Sequence, residues 1–116
     1  MATQEVPREN WDAFLGSFSR QHAGVRISLE LRHPGLGTMV EVEDGRLEGV
    51  LSEHSDDHRR ISIIVGDAPE SEHITHVVEE PSRMRFNQSE TGAQQGLEIE
   101  AEEGTTLLRF RPPLTP

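Results

Sequence analysis

The chain has 116 residues, one domain's worth, and 33% of them are hydrophobic, with one Trp, four Phe and no Tyr. Its formal net charge is −10, which repels nucleic acid and anionic membrane surfaces, since both are bound by clustered cations. Cys is absent, so disulfides, thiolate catalysis and Cys-based zinc or iron–sulfur sites are excluded, and no apolar run approaches the roughly 18 residues that span a bilayer.

The opening MATQEVPREN lacks the apolar segment of a signal peptide, so cytoplasmic residence is expected. Pro7 suits a first helical turn, and Glu9 and Asp12 suit the positive end of a helix dipole. Trp11, Phe14, Leu15 and Phe18 recur at i, i+3, i+4 and i+7, which makes one face apolar. Arg20 and His22 complement the C-terminal end, and Gly24 is a C-cap. The spacing predicts a helix over 8–22.

From Val25 the period changes to two. In VRISLELR, residues Val25, Ile27, Leu29 and Leu31 share one face. HPGLG reads as a turn. TMVEVEDGRLEGVLSE reads as a hairpin about Asp44-Gly45, with Val42 opposite Leu47 and Glu43 opposite Arg46. SEHSDDHRR reads as a polar loop, ISIIV as a strand, GDAPESE as a turn, HITHVVE as a strand, and the stretch beyond Pro81 as another strand carrying Met84 and Phe86. The last hairpin turns at Glu103-Gly104, setting Leu97 against Phe110, Ile99 against Leu108 and Glu98 against Arg109. These elements amount to a single α+β domain over 1–116, mainly β. One N-terminal helix is followed by an antiparallel meander of about eight strands over 25–111, barrel-like or strongly twisted.

All eleven basic residues are arginine. Arg109 and Arg111 on the final strand read first as partners of a glutamate ladder, and second as an anion-binding pair. Four histidines are kept in view as metal ligands. His73 and His76 stand three apart on a strand and point to opposite faces, which opposes a shared ion. His54 and His58 bracket Asp56 and Asp57 in the acidic loop 53–58, whose N and O ligands suit a divalent cation. A metal site is not expected, and neither is a cofactor: Gly35-Leu36-Gly37 is too short for a dinucleotide fingerprint, and no Walker loop or nucleophile elbow occurs. No stretch assembles a nucleophile, a base and an orienting group, which argues against an enzyme.

Strict alternation places Ile27, Val40, Val42, Leu47, Ile99, Leu108 and Phe110 toward the core. It leaves Met39, Val50, Ile64, Val77 and Leu107 pointing out, more apolar surface than one helix covers. Met39 and Val50 are therefore the expected contact with a protein partner or a second copy. The alternative is a bulge at Gly49 that turns Val50 inward.

VPRENWDAFLGSFSRQHAG, LEG at 47–49, ISIIVG at 61–66, HITHVV at 73–78, PSRMRF at 81–86 and LEIEAEEGTTLLRFR at 97–111 together resemble an uncharacterised family of short bacterial proteins, a domain of unknown function. An N-terminal tryptophan-containing helix and a C-terminal LLRFR strand are its most specific parts. The resemblance implies no reaction and no catalytic residue, and its pattern includes the positions of His22, His73 and His76. The function expected is a small soluble accessory or protein-interaction module without catalytic activity, self-associating or bound to a partner. The alternative is a small-ligand or metal-binding barrel using His73, His76 and the acidic loop 53–58.

Overall fold

The computed structural model describes residues 3–55, 57–68, 71–89 and 91–114. A 3-10 turn over Arg8–Asn10 leads into helix α1, Trp11–His22. The helix ends where expected: Gly24 takes φ 86°, a conformation glycine enters at no steric cost, and its N–H donates to the Leu47 carbonyl at 2.7 Å. Eight strands follow the chain order β1 Thr3–Glu5, β2 Arg26–His33, β3 Gly37–Ser55, β4 His58–Ala68, β5 Ser71–Glu79, β6 Pro81–Gln88, β7 Gln94–Ala101 and β8 Gly104–Leu114. They form one antiparallel sheet in the order β1-β6-β7-β8-β2-β3-β4-β5.

The fold is α+β and mainly β, as expected, but two errors cancel in the count of eight. β1 precedes the helix and pairs with β6, and no sequence period marked it. Conversely, the hairpin at Asp44-Gly45 does not exist. Residues 37–55 are one strand of 19 residues, paired with β2 through its first half and with β4 through its second. Register shifts against Leu29/Glu30, against Ile27/Leu29 and at Leu47/Gly49 bend it. Gly45 serves close approach and not a turn, since a Cβ there would lie 2.5 Å from Val65 Cγ1. The expected Glu43–Arg46 pair is likewise not made; Arg46 reaches Asp67 at 3.5 Å and the Gly24 carbonyl at 3.1 Å.

Two further turns differ from expectation. The SEHSDDHRR stretch is the tip of a hairpin, with Ser55 paired to His58. At the last hairpin Ala101 pairs with Gly104, so Glu102 and Glu103 form the turn and the register lies two residues from the expected one. A shift of two preserves faces and changes partners. Leu97 now faces Leu108, and Glu98 faces Leu107 instead of Arg109.

The sheet wraps without closing. β5 ends one side of the strand order and β6 stands next to the other end, yet a single residue, Glu80 (φ 49°), joins them. One residue spans only a few ångströms, so the end of β5 lies beside the start of β6. Across the interior, His76 Nε2 of β5 lies 3.1 Å from Thr106 Oγ1 of β8. The concave face holds Ile27, Leu29, Leu47, Val50, Ile61, Ile63, Val65, Met84, Leu97, Ile99, Leu108 and Phe110, all buried.

Helix α1 packs on this concave face, not on the outer one. Trp11, Leu15 and Phe18 join the same core, with Phe18 stacked on Phe110 at 5.9 Å. Trp11 Nε1 donates to the Val6 carbonyl at 2.8 Å, and the guanidiniums of Arg8 and Arg59 lie over its ring at 4.7 and 5.1 Å from the centroid. Ser19 Oγ accepts from Val50 N–H at 2.8 Å and donates to its carbonyl at 3.0 Å. These bonds use backbone groups on the edge of β3 that β2 does not reach, and they lock the helix to β3.

Candidate functional site

The outer face of β2, β8, β7 and β6 is a lattice of charge. By register Glu30, Leu107, Glu98 and Arg85 form one row across these strands, with Arg109 and Arg83 on adjacent rows. Arg85 is the centre of the ion pairing: it binds Glu98 at 2.6 Å and, more closely still, Glu100. Burial alone would lower its pKa, but the hydrogen bonds and charges of Glu100 and Glu98 outweigh this and raise it. Leu107, expected outside, does point outward but is only 4% exposed, because long charged side chains cover it.

Arg109 is drawn the other way, toward Glu30 at 3.8 Å. Gln94 pairs with Leu114 while Gly96 pairs with Arg109, so β8 carries far more chain than β7 over this interval. The ladder opens there, and a cavity of about 400 Å³ forms beside the Gly96 backbone. Its side-chain walls are Arg32, Arg109, Arg111, Asn87 and Glu98, with Leu107 also lining it. Arg109 and Arg111 stand out in the sequence on the final strand, whereas Arg32 and Asn87 reach the cavity only through strand order, from β2 and β6.

The histidines disperse. His54 Nε2 meets Asp12 of the helix at 3.3 Å, and its Nδ1 accepts from Arg59 at 3.2 Å. Asp12 is held below its usual pKa, first by hydrogen bonding from Ser52 and then from His54. His58 pairs instead with Glu80 at the β5–β6 corner. His73 pairs with Glu48 at 3.2 Å, opposite Gly66, whereas His76 lies opposite Ile63 on the concave face. Desolvation lowers the pKa of His76, partly countered by Glu41. Asp56, the centre of the acidic loop 53–58, lies outside the described residues. Among the described residues no three His, Asp or Glu side chains converge on one point. His22 is buried at the helix end, its Nδ1–H donating to the Phe18 carbonyl at 2.9 Å and its Nε2 facing Gln94 Oε1 at 3.1 Å.

The two expected interface residues separate. Val50 is 1% exposed and packs beneath the helix, so its placement on the outer surface is corrected. The physical reason is the bulge between Leu47 and Gly49, which rotates Val50 onto the face of Ile63. Met39 is 45% exposed, but a second bulge at Glu41 exchanges its face with that of Val40: Val40 pairs with Glu30 of the outer face, Met39 with Leu31. Val40, expected in the core, is 59% exposed, because that bulge turns it onto the outer face with Glu30. With Leu36 at 73%, three apolar side chains stand at this end. From Gly37 to Gly45, β3 pairs with β2 on one edge, and no strand among the described residues pairs with the other.

Comparison with known proteins bears on family alone. A model described as a family of unknown function, DUF5335, matches residues 2–116. An uncharacterized protein of Aquifex aeolicus (strain VF5) is 28% identical over 113 residues, covering 97% of this chain and 95% of the relative. No solved structure matches. The chain belongs to the DUF5335 family.

Proposed function

We propose that this member of a family of unknown function is a small accessory module that acts through protein contact without catalysis, and that the β2–β3 hairpin is its contact element. The observation that carries this reading is the coincidence, over residues 36–45, of three exposed apolar side chains with an unpaired strand edge. An open edge offers a row of N–H and C=O groups to an added strand, and flanking apolar side chains add area and register. Glu41 and Glu43 stand exposed on this stretch. A second copy docked antiparallel would set acidic residues near acidic residues, which costs stability. A partner segment carrying Lys or Arg suits the edge better than self-pairing does.

The test compares the native chain with a Leu36→Ser, Met39→Glu, Val40→Glu variant in capture from a native lysate, with light scattering on both. The expected result is a partner retained by the native chain and lost by the folded variant, with both chains monomeric alone. A native dimer abolished by the variant would replace the heterologous partner with self-association. Identical captures from monomeric chains would end the hairpin reading.

A further inference from the structure

We propose that the cavity beside β8 is a binding site for a tetrahedral oxyanion of the phosphate class, held by Arg32, Arg109 and Arg111 with Asn87. The argument begins with charge. The chain holds 21 acidic and 11 basic residues, so three arginines gathered around one hollow run against its overall charge balance. Arg26, Arg46, Arg83 and Arg85 each have a carboxylate within 4.0 Å. Arg32 and Arg111 have none among the described residues, and Arg109 has only Glu30, at 3.8 Å. These three line one cavity. Like charges gathered around a hollow repel one another, and an anion placed between them removes that repulsion.

The remaining wall groups fit the same ligand. Asn87 Oδ1 accepts from Thr3 Oγ1 at 3.1 Å, which leaves its NH₂ group to donate. Glu98, the one carboxylate of the lining, is held by Arg85 at 2.6 Å. The backbone approaches closely at Gly96, where φ is 149° and a Cβ would lie 1.9 Å from the Leu108 carbonyl oxygen. Any other residue would clash there with the backbone of β8 and displace the strand that carries Arg109. A guanidinium presents a planar fork of donors, matched to two oxygens of a phosphate or carboxylate. Three forks around one cavity match the several oxygens and the double charge of a phosphate, whereas a monocarboxylate satisfies one fork. The volume, about 400 Å³, leaves room for a small organic group attached to that phosphate. This inference is independent of the hairpin contact, which uses other residues.

The experiment titrates the full chain with inorganic phosphate, pyrophosphate and acetate, following amide shifts by NMR and heat by calorimetry. Arg32→Gln, Arg109→Gln and Arg111→Gln are compared with Arg20→Gln, an exposed helix arginine outside the cavity. Arg109→Lys keeps the charge and removes the fork. The expected result is phosphate-induced shifts at 95–98 and 107–111, acetate binding more weakly, and a loss of about tenfold or more in phosphate affinity for each cavity variant. Arg20→Gln should bind as the native chain does, and Arg109→Lys should fall between. Absence of shifts around β7 and β8, equal affinity for acetate and phosphate, or equal weakening by Arg20→Gln would each overturn the proposal.

Discussion

Arg109 and Phe110 are adjacent in sequence and occupy opposite faces of the same strand. Phe110 is 2% exposed and stacks on Phe18 and His22. Arg109 is half exposed and reaches one glutamate at the limit of an ion pair. The concave face is apolar and is completed by a helix whose own apolar stripe has nowhere else to go. The convex face has no such partner. It shelters its one buried leucine under arginine and glutamate side chains and leaves the surplus arginines around a cavity. Stability is thus expected to reside on one face and recognition on the other.

The sharpest test of that division is Phe110→Ala, which removes the ring at the helix–sheet junction and should cost about 3–5 kcal/mol in urea melts. A loss comparable to that of a surface substitution would mean that the helix docks weakly and the concave core is not continuous. Next in size, Leu107→Ala should cost about 2 kcal/mol. That figure belongs to a side chain that is 4% exposed but lies outside the main core cluster. If the change is neutral, the charged lattice does not exclude water and the convex face contributes nothing. Arg85→Ala should destabilise more than Arg109→Ala, because Arg85 is 23% exposed and holds two glutamates, whereas Arg109 is 50% exposed. Exposed pairs such as that of Arg109 contribute under about 1 kcal/mol, and a reversed ranking would place structural weight in the cavity.

The smallest effect concerns His76, opposite Ile63 on the concave face. His76 has its pKa lowered from 6.5 by burial. The unfolded chain therefore takes up a proton more readily than the folded one just below pH 6.5. Stability is complete above 6.5 and falls as pH drops toward the folded value. His76→Gln should flatten that part of the decline, read as urea midpoints on either side of 6.5. An unchanged slope would show that the proton enters without penalty and that this end of the sheet is open to water.

How much of this was legible in the sequence depended on whether a pattern ran uninterrupted. Helix α1 was, because its apolar spacing, its acidic start and Gly24 all agree. β2 was legible for the same reason. Asp44-Gly45 misled because an acidic residue followed by glycine is also what a bend needs when another strand passes close by; the Val65 side chain that demands glycine at 45 is 20 positions away. The bulge at Glu41 then exchanged the faces of Met39 and Val40, since alternation carries no memory of an inserted residue. At the candidate site, Arg109 and Arg111 could be noticed for their place on the last strand. Arg32 and Asn87 could not, because they join the cavity through strand order.

What the sequence determined by itself was therefore local: a helix with one apolar face, strands with one apolar face, no cysteine chemistry, and a strongly acidic surface. These follow from periods of 3.6 and 2 and from composition, which need no knowledge of distant neighbours. Only the tertiary structure decided that 37–55 is a single bent strand, that β8 lies beside β2 while β1 edges β6, that Val50 is buried and Val40 is not, and that three arginines line one cavity. The reason is that each of these is set by pairing between segments far apart in the chain, where one inserted residue or one shifted register reassigns every partner while leaving the local pattern unchanged.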